Sequence, residues 1–160
     1  EIDADELPRR DAVRRLAALL PDAATARAAA DALKLSNANR ARLEQAMEGD
    51  AITAPLAARS ARILLYRLGP ACFRDKVWLA WADAPRRGNA IQWRMLLDMA
   101  DNYRRPHFPL TGLDVMQAGV PEGPEVGRVL GKLEDWWVEG DFAADEGALR
   151  EKLASLLNGA

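Results

Sequence analysis

Phe108-Pro109-Leu110-Thr111-Gly112-Leu113-Asp114-Val115-Met116-Gln117-Ala118-Gly119-Val120-Pro121-Glu122-Gly123-Pro124-Glu125-Val126-Gly127 reads as a helix, a tight glycine turn and a second helix. Thr111 and Asp114 have the spacing of a capping box, with Asp in place of the preferred Glu or Gln, and open a short helix to about Ala118. Gly119 can stop that helix in the left-handed conformation that L side chains avoid. Gly123 lets the backbone come close to a neighbour or a ligand. Pro124 suits the first position of the next helix, where an N–H would have no partner in any case. That helix runs to about Gly140, with Val126, Val129, Leu130, Leu133 and Trp137 forming its apolar stripe. Gly127 and Gly131 repeat at four residues along one face, so another helix could approach there without side chains intervening.

Outward from this stretch, Asp145 to about Leu157 forms a last helix. On the other side, Arg104-Arg105-Pro106-His107-Phe108-Pro109 excludes helix, because each proline lacks an N–H and restricts its predecessor. This is the best boundary in the chain, dividing a body at 1–105 from a tail at 106–160. In the body, Val13, Leu16, Ala17 and Leu20 follow helical spacing from Asp11 until Pro21. Asp22 can cap an Ala-rich helix to about Leu35, and Ser36 a third to about Glu48, stopped by Gly49. Thr53 and Pro55 open a fourth, with Leu56, Ile63, Leu64 and Leu68 buried, before Gly69-Pro70 breaks it. A fifth covers about Ala71–Ala82, with Val77, Trp78 and Trp81 packing inward. After Pro85 and Gly88, a sixth covers about Ala90–Tyr103. The expectation is an all-α assembly of about nine helices, without strands.

Composition agrees: Ala and Leu abound, and aromatics are only 6% of the 160 residues, a balance that favours helices over sheets. No apolar run approaches the roughly 18 residues a membrane span needs, and no signal peptide is visible. The chain therefore reads as water-soluble and cytoplasmic. It begins with Glu1 and enters a helical pattern directly, which reads as an excised piece of a longer protein. One cysteine, Cys72, leaves no internal disulfide and no cysteine-cluster zinc site; it reads as a buried or semi-buried thiol. The single His107 has no visible nucleophile or carboxylate partner, and Asp83, Asp98 and Asp101 form no metal pattern. The net charge of −2 conceals an asymmetry: residues 1–107 carry 18 Lys/Arg against 14 Asp/Glu, and residues 108–160 carry 4 against 10. A polyanion would have to meet a local basic surface.

Two readings of the glycine turn stay open from spacing alone. It can offer N–H groups at a helix N-terminus to a phosphate, as helix-hairpin-helix modules do without reading bases. Alternatively its glycines only permit tight helix crossing, and Glu122 and Glu125 favour this by repelling phosphate. Arg86-Arg87 and Arg104-Arg105 bracket the sixth helix, and Arg128 and Lys132 lie one turn apart after the turn. These pairs are candidate phosphate contacts, set against plain solubilising surface. Arg59, Arg62 and Arg67 lie near one helical face but can equally pair with nearby carboxylates. Trp78, Trp81, Trp93 and Trp137 read as core rather than base-stacking residues, and Trp136 is less settled.

The run Phe108-Pro109-Leu110-Thr111-Gly112-Leu113-Asp114, followed by Gly119, Gly123-Pro124, Gly127, Leu130 and Trp136, resembles the tail of bacterial class II CCA-adding tRNA nucleotidyltransferases and their poly(A) polymerase relatives. Upstream, Leu35-Ser36-Asn37-Ala38-Asn39-Arg40-Ala41-Arg42-Leu43, Tyr66-Arg67-Leu68-Gly69, Asp75 and Trp78-Leu79-Ala80-Trp81-Ala82 are similar to their body region. The resemblance spans about residues 35–137. It implies a parent enzyme that adds C, C and A to the tRNA 3′ end from CTP and ATP with Mg2+. The family's catalytic head carries a Gly-Ser strand motif and an Asp-x-Asp metal pair, and its neck a Glu-Asp-x-x-Arg motif. Asp3-x-Asp5 sits at a terminus without a strand, and Glu134-Asp135 is followed by Trp136-Trp137-Val138 instead of the required Arg. No catalytic residue, metal ligand or cofactor site is therefore carried over. The implied role is tRNA binding by body and tail for a head and neck not present here. Gly119, Gly123 and Gly127 would shape the turn, and Arg86, Arg87, Arg104, Arg105, Arg128 and Lys132 would face phosphates, reading duplex RNA by shape. Rival readings are a helix-hairpin-helix-like DNA-binding module, and a structural or protein-interaction domain favoured by the acidic tail.

Overall fold

Asp11, Asp22 and Ser36 each start a helix by accepting a hydrogen bond from a backbone N–H three residues on, at Arg14 (3.0 Å), Thr25 (2.7 Å) and Asn39 (3.3 Å). They open α1 (Ala12–Ala17), α2 (Ala23–Ala32) and α3 (Asn37–Met47) in a computed structural model that describes residues 11–49, 51–84 and 90–158. The other helices are α4 (Ala58–Asp83), α5 (Ala90–Asp101), α6 (Gly112–Gln117), α7 (Pro124–Glu139) and α8 (Glu146–Asn158). Among the described residues the chain is all-α, in eight helices without a strand. None of these helices is long and apolar enough to cross a membrane. Pro85, Arg86, Arg87 and Gly88, and the Asp3-x-Asp5 pair, lie outside the described residues.

The difference between eight helices and about nine lies at Gly69-Pro70. The pair does end one helical segment, as its chemistry suggested. Gly69 leaves helical geometry, at φ 76 and ψ 159, and a second segment starts at Pro70, so α4 is two segments joined across a kink. Proline tolerates this place because it acts as the first residue of a new helical segment, with no N–H to satisfy. Leu65 before the kink and Phe73 after it enter the same core, together with Val77, Trp93, Leu96 and Ala100. The helix begins at Ala58 rather than at Pro55, because the segment ahead of it is used in another way. Ile52 there is buried, and Ala54 and Leu56 pack against that core. α1 is also shorter than its apolar spacing suggested: Leu19 and Leu20 donate to carbonyls only three residues back, tightening the chain before Pro21.

The chain divides into two compact units, Glu1–Tyr103 and Arg104–Ala160. Within the first, Ala17, Ala26, Ala30 and Leu43 make a second small core, whose alanines let α1, α2 and α3 approach closely. An ion cluster around the buried Asp75 ties these helices to α4. Asp75, 2% exposed, accepts from Arg14 Nε at 2.9 Å and from Arg42 Nε and Nη2 at 2.6 and 2.9 Å. Arg42 also donates to Asp11 at 2.6 Å, and the Arg14 guanidinium lies 5.9 Å from the centre of the Trp78 ring. Trp78 stacks on Trp81 at 5.3 Å, and Trp81 on Trp93 at 6.5 Å. The tryptophans of this unit are thus packed on one another, as their helical spacing suggested.

In the second unit α7 turns Val129, Leu133, Trp137 and Val138 inward, and α8 meets them with Leu149 and Leu153. Trp137 packs edge-on against Phe108 at 5.4 Å and Phe142 at 5.0 Å, and its Nε1 donates to the Ala144 carbonyl at 3.0 Å. Burying a side chain of this size contributes on the order of 1.5–3 kcal/mol, so the stripe accounts for how α7 is held. Trp136, beside it, is partly exposed, with Lys152 Nζ 5.6 Å from its ring centre.

Candidate nucleic-acid interface

Thr111 and Asp114 set the first helix of the turn. The Asp114 carboxylate accepts from the Thr111 backbone N–H at 2.8 Å and from its hydroxyl at 2.7 Å, and it pairs with Arg150 at 2.7 Å. The Thr111 hydroxyl first, then its N–H and the Arg150 guanidinium, hold this carboxyl below the usual carboxylate range against a smaller opposing effect of burial. Gly112 follows directly, and a Cβ there would lie 3.3 Å from Val126 Cγ1. It is Gly112, which the spacing argument left unused, that allows α6 to meet the first turn of α7.

Gly119 closes α6 at φ 103, with its N–H on the Met116 carbonyl at 3.0 Å. Val120 is buried, and Pro121, Glu122 and Gly123 carry the exposed chain to α7. Gly123 is the N-cap of α7 at φ 148, and no side chain accepts from the helix end behind it. A Cβ at Gly119, Gly123, Gly127 or Gly131 would meet nothing within 4 Å. Tight helix crossing therefore does not explain these four glycines among the described residues. They leave an exposed turn and a bare strip along α7.

The charges around this strip are mixed. Arg128 and Lys132 are both exposed on α7, one turn apart. Arg128 pairs with Glu125 at 2.5 Å, so a phosphate reaching Arg128 would compete with that carboxylate. Glu125 stands in the first turn of α7, where a negative charge already complements the helix dipole. Arg104 and Arg105 are exposed on the extended segment leading into α6. The structure thus places Gly119 and Gly123 in one turn, and Gly127, Arg128 and Lys132 on the exposed face that follows. Arg86 and Arg87 belong to the other unit's sequence and lie outside the described residues.

Elsewhere, the described residues include no group of three His, Cys, Asp or Glu side chains able to hold a metal. Cys72 is buried and donates to the Gln45 carbonyl at 3.5 Å; burial pushes its thiol up, away from the reactive thiolate form. His107, Arg59, Arg62 and Arg67 are exposed. Sequence reasoning passed over the Asp75 cluster and the buried Lys76. The signal was available: both charged residues stand in Cys72-Phe73-Arg74-Asp75-Lys76-Val77, amid apolar residues of a core helix. Compared with protein-family models, curated proteins and solved structures, the chain gives no significant match.

Proposed function

We propose that this chain is the tRNA-binding body and tail of a nucleotidyltransferase of the class II CCA-adding type, positioning tRNA for a catalytic head and neck carried elsewhere in the parent. The observation that carries the reading is the bare glycine turn running into the N-terminus of α7, which no side chain caps. It is built from the same residues that bear the family resemblance. Pro124 has no N–H and the Val126 N–H donates to the Gly123 carbonyl at 3.1 Å, so what this exposed end offers a phosphate is the Glu125 N–H and the positive end of the helix dipole. Lys132 and Arg128 would follow the backbone one turn further on, with Arg104 and Arg105, and Arg86 and Arg87 from the body, as additional phosphate contacts. CTP, ATP and Mg2+ belong with the parent's catalytic half, and no step of that chemistry is assigned to these residues. A cytoplasmic setting, where tRNA is matured, goes with this reading.

The test is equilibrium binding of the chain to bulk tRNA and to duplex DNA of matched charge across a salt series. The expected result is preferential tRNA binding that weakens as salt rises, because phosphate contacts release counterions. Equal or better binding to duplex DNA would move the assignment to a helix-hairpin-helix DNA module. No binding at low salt would leave a structural or protein-interaction domain, in keeping with the acidic balance of residues 108–160.

A further inference from the structure

A cavity of about 460 Å³ opens in the first unit, lined by Ala17, Leu20, Met47, Ile52, Leu79 and Lys76 among others. Its size falls within the roughly 300–1,000 Å³ of pockets that hold small molecules. Most of the residues that line it are apolar, although polar atoms make up nearly half of the surface they present. The exception within is Lys76, which is 6% exposed and lies in the second half of α4. Its Nζ donates to the carbonyl of Glu48, the C-cap residue of α3, so the ammonium stands at the negative end of that helix.

That contact fastens α4 to α3 and uses one of the ammonium's donors. A lysine has three N–H donors, and among the described residues Glu48 supplies the one acceptor found for them. The neighbouring carboxylate, Asp75, is committed to Arg14 and Arg42. A buried cation gains from further acceptors, and the cavity that Lys76 lines is a space from which one can come.

We infer that this cavity is a binding site for a small organic monocarboxylate with an apolar body, whose carboxylate pairs with Lys76 while its hydrocarbon part lies against the apolar residues of the wall. One ammonium matches one negative charge. A phosphate monoester, close to a dianion at neutral pH, would bring a second charge for which the described lining holds no second cation. Asp83, also in the wall about two turns further along α4, opposes any anion and a dianion the more strongly. The site involves no residue of the glycine turn or its flanking cations, and it stands independently of the tRNA assignment.

The experiment is calorimetric titration of the whole chain with decanoate, decanol and decyl phosphate, repeated on Lys76→Met and on Ala82→Trp. Ala82 lines the cavity and is itself exposed, so tryptophan there blocks the opening without touching Lys76. Expected is one-to-one decanoate binding, about tenfold or more tighter than decanol, as for a hydrogen bond to a charged group. Decyl phosphate should bind more weakly than decanoate, and both variants should lose decanoate binding. The inference is overturned if decanoate does not bind saturably, or if decanol or decyl phosphate binds as tightly. It is equally overturned if Ala82→Trp binds decanoate like the parent chain. Should Lys76→Met fail to fold, the ligand series and Ala82→Trp decide alone.

Discussion

Asp75 shows how one side chain can join three helices. Its carboxylate takes guanidinium hydrogen bonds from α1 and α3 while standing on α4, and Arg42 reaches beyond it to Asp11. Removing the carboxylate would leave two guanidinium groups facing a vacated, largely buried place. Asp75→Asn should therefore lower stability by about 3–5 kcal/mol, read from urea unfolding. Asp101→Asn, which breaks an exposed pair with Arg74, should cost no more than about 1 kcal/mol. The same cluster gives a pH dependence. Burial pushes the Asp11 carboxyl up, but the Arg14 backbone N–H and the Arg42 guanidinium outweigh it and leave it below the usual carboxylate range. A carboxyl depressed in the folded state contributes stability that is complete above its unfolded value, about 4, and is lost as pH falls through the lower folded value. The gap in urea midpoint between the parent chain and Asp11→Asn should thus be constant from pH 7 to 5 and shrink below pH 4. Residue spacing showed Asp11 as the start of a helix, but not that Arg42, 31 positions away, would reach it. Periodicity describes one helix at a time, whereas partners across helices depend on how the helices pack.

At the scale of the element, the caps and breakers were the most legible features. Asp22, Ser36 and Thr111 begin helices where their spacing put them, because a cap acts within three residues and carries its own geometry. Gly69-Pro70 was legible as a break, and Gly69 does leave helical geometry there; what spacing could not show is that the segments on either side share one core. Gly69→Ala should cost about 1–3 kcal/mol from backbone strain alone, because the added methyl meets nothing within 4 Å. Gly127 behaves in the opposite sense. It is helical and exposed, so alanine there should stabilise the chain by up to about 1 kcal/mol, read as a rise in urea midpoint. If a phosphate backbone lies against this face, Gly127→Ala should at the same time weaken tRNA binding. A variant that gains stability while losing affinity separates a binding role for the bare strip from a packing role.

For the whole molecule, the proline-rich segment after Tyr103 marks the sequence division, and the contacts separate Glu1–Tyr103 from Arg104–Ala160. Apolar spacing showed only part of the core: Val77 and Trp93 in one unit and Val129, Leu133 and Trp137 in the other are buried. Leu56, Ile63, Leu64 and Leu68 are instead half-buried, and Leu65 and Phe73, which spacing did not single out, take the core places. The candidate interface was readable only in part. Its glycines and cations could be named, but their exposure could not, nor the pairing of Arg128 with Glu125 across one turn. The Lys76 cavity was not readable, because its wall is assembled from α1, the end of α3 and α4.

Under the proposed role, tRNA is gripped through the bare turn and the face of α7. The most direct test is a titration of the isotopically labelled chain with tRNA at low salt, following each backbone amide by NMR. The account predicts that the largest shifts fall on the amides of Gly119, Gly123, Glu125 and Gly127 and along α7 to Lys132, and that they reverse as salt is raised. Shifts confined to other surfaces, or none under conditions where the amides are well resolved, would contradict it.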